Sequence, residues 1–451
     1  MRISGLVLIF LFFVSGNILL NAGNEKAAAE KEWTFMVFLN ADNNLDYFGV
    51  DDLHEMEAVG STNEINILVE LDREEGPSKR YFVKKGHSDI IVNLGEVDMG
   101  DYKHLVDFVK WGVNNYPAKK YCVVIWNHGS GWNKKGPKLG LRGISYDDSS
   151  NNHITTNQLA IACAQIKNLL GRNLDIMGFD ACLMGMAEVN YAIKDSIDVV
   201  VSSEETEPGD GWPYDGLLAP LKNNPGMNPH QFASNMVKKY AASYNGGSQG
   251  SSSTTQSAID LTKYNLFMEK LNQFCESQMG TYAGEIGTVL QNVQKFYYSS
   301  NIDLIHFLKL LKSNLVQRDE IAASKIQALI DCSKDIVICN ATTGIRMKNA
   351  SGIAIYFPRG SYSWSSNYAS LAWANKGLWD EFCQAYYQQV QNREIINAIR
   401  AGDTTLLVKF MKSAGKSEIK VLKQALNTEI YVNKSITDSK VISEVSQLTS
   451  N

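Results

Sequence analysis

Trp126-Asn127-His128-Gly129-Ser130-Gly131-Trp132, answered further along by Asp180-Ala181-Cys182-Leu183-Met184, are the stretches on which the fold turns. Each follows a run suited to a buried strand, Tyr121 to Ile125 in the first case and Leu174 to Phe179 in the second. The histidine and the cysteine are therefore expected just past the ends of two strands. In open α/β sheets, the loops beyond the carboxyl ends of parallel strands bind ligands and carry chemistry. A thiol and an imidazole on neighbouring strand ends make a nucleophile with its base.

Outward from these runs the pattern alternates between strand and helix. Trp33 to Leu39 and Ile65 to Leu71 read as buried strands around a helix near Val50 to Val59, and Arg80 to Lys84 with Asp89 to Asn93 reads as a hairpin. His104 to Asn115 and Thr156 to Leu170 have helical spacing, and Asp198 to Ser203 is a further strand. This βαβ order predicts a mostly parallel sheet between helices. Gly209 to Asn228 reads as a surface loop or boundary, and from Pro229 to Gln388 the chain is mainly helical with strand returns at Thr255 to Leu261 and Gly352 to Phe357. Asn392 to Asn451 reads as a polar helical tail in which Ile395 to Asp403 resembles one ankyrin-type helix pair. A solitary repeat cannot bury its own face, so a helical appendage is the simpler reading.

A chain of 451 residues exceeds what one core usually supports, so two or more packed units are expected. The net charge of −5, without a basic aromatic-interleaved patch, argues against a nucleic-acid partner. Met1-Arg2, the apolar run Leu6 to Phe13 and the small residues Ala27-Ala28-Ala29 form a secretory leader with a cleavage site. Its apolar stretch is too short and interrupted for a span of ~20 residues, so no membrane association is expected after its removal. Seven cysteines leave at least one thiol unpaired. Cys122 and Cys163 fit a core, Cys332 and Cys339 could close a short disulfide loop, and Cys182 is the one with reactive neighbours.

Cys182 follows His128 by 54 positions (182 − 128), histidine first, near the roughly 50-residue separation of caspases. The Asp-Ala-Cys setting joined to Asn-His-Gly-Ser-Gly-Trp resembles the clostripain family of cysteine peptidases, relatives of caspases and gingipains. Leu94 to Gly100, Tyr116-Pro117-Ala118, Gly185 to Val189, Ser202 to Glu205 and Gly211 to Asp215 match as well, so the resemblance runs from about Trp33 to about Gln388. It implies a caspase-like three-layer α/β/α sandwich with a helical C-terminal subdomain, whose strand returns extend the same sheet. The expected organisation is a leader over 1–29, a catalytic core over 30–228, the rest of the peptidase unit over 229–388 and the tail over 389–451.

The resemblance also implies roles. Cys182 would attack the scissile carbonyl, His128 would move its proton, and the N–H groups of Gly129 and Cys182 would form the oxyanion hole. Asp180, two positions before the thiol, would bind a basic P1 side chain with help from Asp210, for which Glu204, Glu205 and Glu207 compete. The expected activity is hydrolysis after Arg or Lys of protein or peptide substrates by an exported bacterial enzyme, secreted, periplasmic or at the cell surface. The loop from Gly129 to Asn152 carries Lys134, Lys135, Lys138 and Arg142, so self-cleavage is expected, after Lys138 or Arg142 first, leaving a monomer or a two-piece complex. The six other histidines read as structural. No C-x-x-C or H-E-x-x-H occurs, so no metal or organic cofactor is expected. Asp42-Asn43-Asn44-Leu45-Asp46 and Asp147-Asp148 offer oxygen ligands without matching an EF-hand, which leaves calcium open as an activator. Ser130, within Gly129-Ser130-Gly131, reads as turn chemistry and not as a serine nucleophile. The reading from another class is an exported binding or adhesion protein that keeps the fold without activity.

Overall fold

The computed structural model describes residues 30–132 and 143–449. The leader at 1–29 and the self-cleavage candidates Lys134, Lys135, Lys138 and Arg142 lie outside the described residues. The first half of the chain runs β1 (Lys31–Ala41), α1 (Asp46–Val59), β2 (Ile65–Arg73), β3 (Ser78–Lys84), β4 (His87–Gly95), α2 (Tyr102–Asn115), β5 (Ala118–Trp126), β6 (Ile144–Asp147), β7 (Asn152–Ile154), α3 (Thr156–Leu170), β8 (Leu174–Asp180), α4 (Ala187–Ile193) and β9 (Ile197–Ser202). The second half continues α5 (Tyr214–Asn223), α6 (Pro229–Ser243), β10 (Asn245–Gly247), β11 (Gly250–Ser251), β12 (Thr255–Asp260), α7 (Tyr264–Gln278), α8 (Ala283–Asn292), β13 (Asn301–Asp303), α9 (Leu304–Leu315), α10 (Glu320–Ile336), β14 (Val337–Thr342), β15 (Ala354–Tyr356) and α11 (Trp379–Arg400). Three shorter helices follow: α12 (Thr405–Ser413), α13 (Lys416–Asn427) and α14 (Ser439–Thr449).

One nine-stranded sheet organises the molecule, in the order β14-β12-β9-β8-β5-β1-β2-β3-β4. Its five central strands are parallel, and the pairs beyond them are antiparallel. The continuous apolar runs follow from burial on both faces, since successive side chains point to opposite sides. In β1, Met36 and Phe38 enter the core formed with α2 and α3, whereas Phe35, Val37 and Leu39 enter the core formed with α1, α5 and α6. The α/β/α sandwich expected from the sequence is thus observed.

Local chemistry fixes the helix starts. Thr155 and Gln158 form a reciprocal capping box at α3, and Asn228 with Gln231 does the same at α6, where Pro229 occupies the first turn. These pairs satisfy N–H groups that a helix cannot satisfy internally, and proline loses nothing there.

Three local expectations differ from the structure. Gly209 to Asn228 is not a loop throughout, because α5 lies within it and buries Leu217, Leu218 and Leu221. Only the first of the two strand returns extends the sheet. The second, β15, pairs with β13 in a separate two-stranded sheet, and β14 takes the sheet edge beyond β12. Val337-Ile338-Cys339 continues the apolar spacing of α10 directly into β14, so no turn residue marks the change. Finally, Cys332 and Cys339 are both free thiols.

The helix α11 passes Gln388 without a break. Beyond it Ile395, Ile399, Leu407, Phe410, Leu422 and Leu426 share a small core of their own. The tail thus buries its apolar faces with the end of α11 and its own helices, not by repeating a unit.

Candidate active site

Parallel pairing brings the two loops together. Trp126 at the end of β5 is in register with Asp180 at the end of β8. Two residues further on each strand stand His128 and Cys182, and both line one cleft of about 320 Å³. Asn44, Tyr146 and Asp148 border the same cleft, and Tyr297 and Tyr298 enter it from the C-terminal half.

Gly129 makes the approach of the two loops feasible. A Cβ there would lie 2.3 Å from the Cys182 carbonyl oxygen, inside any real contact. After Cys182 the chain turns sharply, with Leu183 at φ +65, a left-handed conformation unfavourable for a residue with a Cβ. The turn is held by Leu183 N–H donating to the Glu205 carbonyl at 3.0 Å and Gly185 N–H donating to the Ser203 carbonyl at 2.7 Å.

The thiol sits in a setting that favours its protonated form. Burial pushes Cys182 above the ordinary thiol range, and nearby Glu205 and Asp180 push the same way, while the Glu207 N–H opposes them from 3.3 Å. A thiol in such a setting needs a base at the moment of attack. His128 presents Nε2 at 2.8 Å from Asn44 Oδ1. An amide oxygen only accepts, so Nε2 carries a proton, which leaves Nδ1 as the nitrogen that can serve as base.

Behind Cys182 lies a well of acids. Asp180 accepts from the Tyr214 hydroxyl at 2.9 Å and from Trp212 N–H at 3.3 Å. Its carboxyl is buried and pushed up to about 6, and it faces the Glu207 carboxyl, which burial and then Asp180 push well above the ordinary carboxylate range. Two further acids stand behind them: Asp52 accepts from the Trp126 indole at 2.6 Å, and Glu55 accepts from Tyr214 N–H at 2.8 Å. Burial raises both, Glu55 to about 7. Among the described residues, no Lys, Arg or His forms an ion pair with Asp52, Glu55, Asp180 or Glu207.

Asp210 is exposed at the rim of this well, where Gln249 Nε2 donates to its backbone carbonyl at 2.6 Å. The next residue, Gly211, has φ +53, and a Cβ on it would come 3.1 Å from Asp180 Oδ1. The other competing acids point elsewhere. Glu204 accepts from Gly352 N–H at 3.0 Å, and Glu205 accepts from Thr206 N–H at 2.9 Å and Tyr297 N–H at 3.2 Å. Glu205 thereby ties the loop after β9 to the tyrosines of the cleft.

Sequence reasoning named Asn44 only within a stretch of oxygen ligands open to calcium, and did not single out Asp52, Glu55 or the two tyrosines. Asn44 carried a usable signal, since it follows β1 at the same sheet edge as His128. Tyr297 and Tyr298 carried none, because they arrive from a loop 115 positions beyond Cys182 (297 − 182).

Comparison with known proteins bears on the family and the fold. The clostripain family, peptidase C11, matches residues 37–418. Clostripain of Hathewaya histolytica is 29% identical over 230 residues, 43% of this chain and 43% of its own, so the match spans less than half of that relative. Among solved structures, a secreted C11 cysteine protease from Bacteroides thetaiotaomicron in complex with an irreversible peptide inhibitor has a TM-score of 0.59 at 22% identity, covering 78% of this chain and 100% of that one. An inactive zymogen C11 protease from Parabacteroides distasonis gives 0.58 at 18% identity, with 77% and 98% covered. At these identities the solved structures speak to the fold.

Proposed function

Because this chain belongs to the clostripain family, we propose that it is a cysteine endopeptidase that hydrolyses peptide bonds after Arg or Lys. The observation that carries the reading is the buried Asp180–Glu207 pair beside the Cys182 thiol, which no cation among the described residues answers. A P1 guanidinium or ammonium supplies the missing charge, and a pair desolvated in this way discriminates strongly against neutral side chains. Asp210, at the rim, meets the cation on its way in.

In this mechanism Sγ of Cys182 attacks the scissile carbonyl as Nδ1 of His128 takes the thiol proton. The N–H groups of Gly129 and Cys182 receive the oxyanion. When the tetrahedral intermediate collapses, the carbon–nitrogen bond breaks and the imidazolium returns its proton to the leaving amine. Water, deprotonated by the same imidazole, then cleaves the thioester and frees the carboxylate and the thiol. Asn44 is a positioning residue, since its amide oxygen holds Nε2–H and so leaves Nδ1 to act as the base.

We further propose export through the leader at 1–29, action on protein or peptide substrates as a monomer, and self-cleavage within 133–142, after Lys138, or after Arg142 at the end of that segment. The lysines and Arg142 are tethered between the two active-site loops, which makes them substrates at high effective concentration. Incubation of the wild-type and Cys182→Ala chains with a mixed peptide library, followed by mass spectrometry of the products and N-terminal sequencing of the chain, tests the whole reading. Cuts after Arg and Lys by the wild type alone are expected. Cuts without basic P1 preference, or equal nicking of the variant chain, would contradict it.

A further inference from the structure

A larger cavity, of about 570 Å³, lies in the C-terminal half between α8, the chain after β15 and α11. Tyr386 and Arg393, seven positions apart (393 − 386), line it from one face of α11. Across from them α8 presents Gly284, which leaves room for the Arg393 guanidinium: a Cβ there would lie 3.0 Å from Nη1 and 3.4 Å from Nη2. Arg359 comes from the third wall, where the Tyr387 hydroxyl donates to the Pro358 carbonyl at 2.5 Å and ties that chain to α11.

Neither guanidinium is answered. Among the described residues, no acid forms an ion pair with Arg359 or Arg393. Both act on one hydroxyl, since burial raises the Tyr386 phenol while Arg359 and then Arg393 oppose it. Lys295 adds a third cation, held below the ordinary lysine range by burial and then by Arg359, with Nζ donating to the Gln291 carbonyl at 3.3 Å. Among the described lining residues Glu394 is the one acid. Like charges held near one another on separate elements repel, and an anion placed among them removes that cost. The arginine fork fits a carboxylate through two parallel hydrogen bonds.

The groove and the active cleft share one loop. Lys295 stands two positions before Tyr297, and Tyr297 with Tyr298 borders the cleft. Two positions beyond Tyr298, the Ser300 carbonyl accepts from Phe357 N–H at 2.7 Å, and Arg359 follows Phe357 by two more. We propose that Arg359 and Arg393, with Lys295 beside Arg359, bind an acidic stretch of a protein substrate away from the bond being cut. The proposal rests on the peptidase reading above and names what else such a substrate carries. A chain with Asp or Glu at that distance is held at two points, which raises its effective concentration at Cys182. Exposed Tyr362 at the groove adds an aromatic face against which the backbone of such a stretch packs.

The test uses the full chain carrying Cys182→Ala and a fluorescein-labelled peptide of alternating Glu and Ser, without Lys or Arg, read by anisotropy. The peptide is expected to bind, more weakly as salt rises, and its counterpart with Gln in place of Glu is not. Arg359→Gln and Arg393→Gln, both at exposed side chains, should keep the parent's Tm and each weaken binding by about tenfold. With Cys182 restored, the same two variants should cleave a short basic-P1 peptide like the wild type, and show a raised KM only when the acidic stretch is joined to it. No binding up to ~1 mM peptide, equal affinity for the Gln counterpart, or parental affinity in both variants would overturn the site. Tighter binding of a sulfated oligosaccharide would overturn its assignment to peptide. Because the binding arm needs no cleavage, its failure leaves the preference for Arg and Lys, read on short peptides, untouched.

Discussion

Glu70 and Asp180 are buried in the same sheet, and they differ in what answers their charge. Glu70 on β2 meets Arg80 Nε at 2.5 Å and His104 Nε2 at 2.5 Å, and Arg80 in turn reaches Asp107 at 2.7 Å and lies over the Trp111 ring. That charge is balanced within the fold. Asp180 on β8 faces another acid, Glu207, and among the described residues accepts from the Tyr214 hydroxyl and the Trp212 N–H, both neutral. Charge matched internally holds a structure together; charge left unmatched beside a thiol suits the arrival of a cationic ligand. The lesson is that burial alone does not mark a functional acid, and the absence of a fixed counter-ion does.

The contrast can be broken most severely at the thiol. Cys182→Ala and His128→Ala are each expected to lower kcat/KM for a basic-P1 peptide by about four orders of magnitude or more, with the urea unfolding midpoint unchanged, because the two residues act as one unit. Near wild-type turnover in either would remove the dyad. On the structural side, Arg80→Met strands Glu70 and should cost ~3–5 kcal/mol of stability in urea unfolding. If it costs nothing, the pairing argument fails for this protein.

Asp180→Asn sharpens the same comparison. It should lower kcat/KM for Arg and Lys substrates by ~2–5 kcal/mol in barrier, leave a norleucine substrate nearly unaffected, and not destabilise the fold. A uniform loss would mean that Asp180 orients the catalytic groups. The pH dependence has a defined sign. Asp180, pushed up to about 6, takes up a proton as the pH falls through that value, Glu207 is raised well above the ordinary carboxylate range, and a docking cation opposes protonation of either. The ratio of kcat/KM for arginine over norleucine should therefore fall as the pH drops through about 6. The smallest effect is expected from Asn44→Ala, ~1–3 kcal/mol in kcat with KM little changed. Its pH profile should shift because the imidazole loses a fixed tautomer, and Asn44→Gln should restore part of the rate if the amide oxygen is what matters.

The parallel core was legible because strands buried on both faces read as unbroken apolar runs, and Tyr121 to Ile125 and Leu174 to Phe179 fall inside β5 and β8. Their ends placed His128 and Cys182 on one edge before any coordinates. The sheet's far edge was not legible. β14 is half-buried throughout and continues directly from a helix, so neither periodicity nor a turn residue announced it, whereas β15 reads as a strand but pairs elsewhere. At the site, Asp180 was visible through its spacing from the thiol. The inward turn of Glu207, as against Glu204 and Glu205, depends on the path of the loop through Pro208 to Gly211, which no local pattern specifies.

Labelling with an arginyl acyloxymethyl ketone, read by peptide mass spectrometry and set beside its norleucyl analogue, tests the account most directly. The account predicts one adduct on Cys182, formed far faster by the arginyl probe and lost in Asp180→Asn. An adduct on another residue, or equal rates for the two probes, would contradict it.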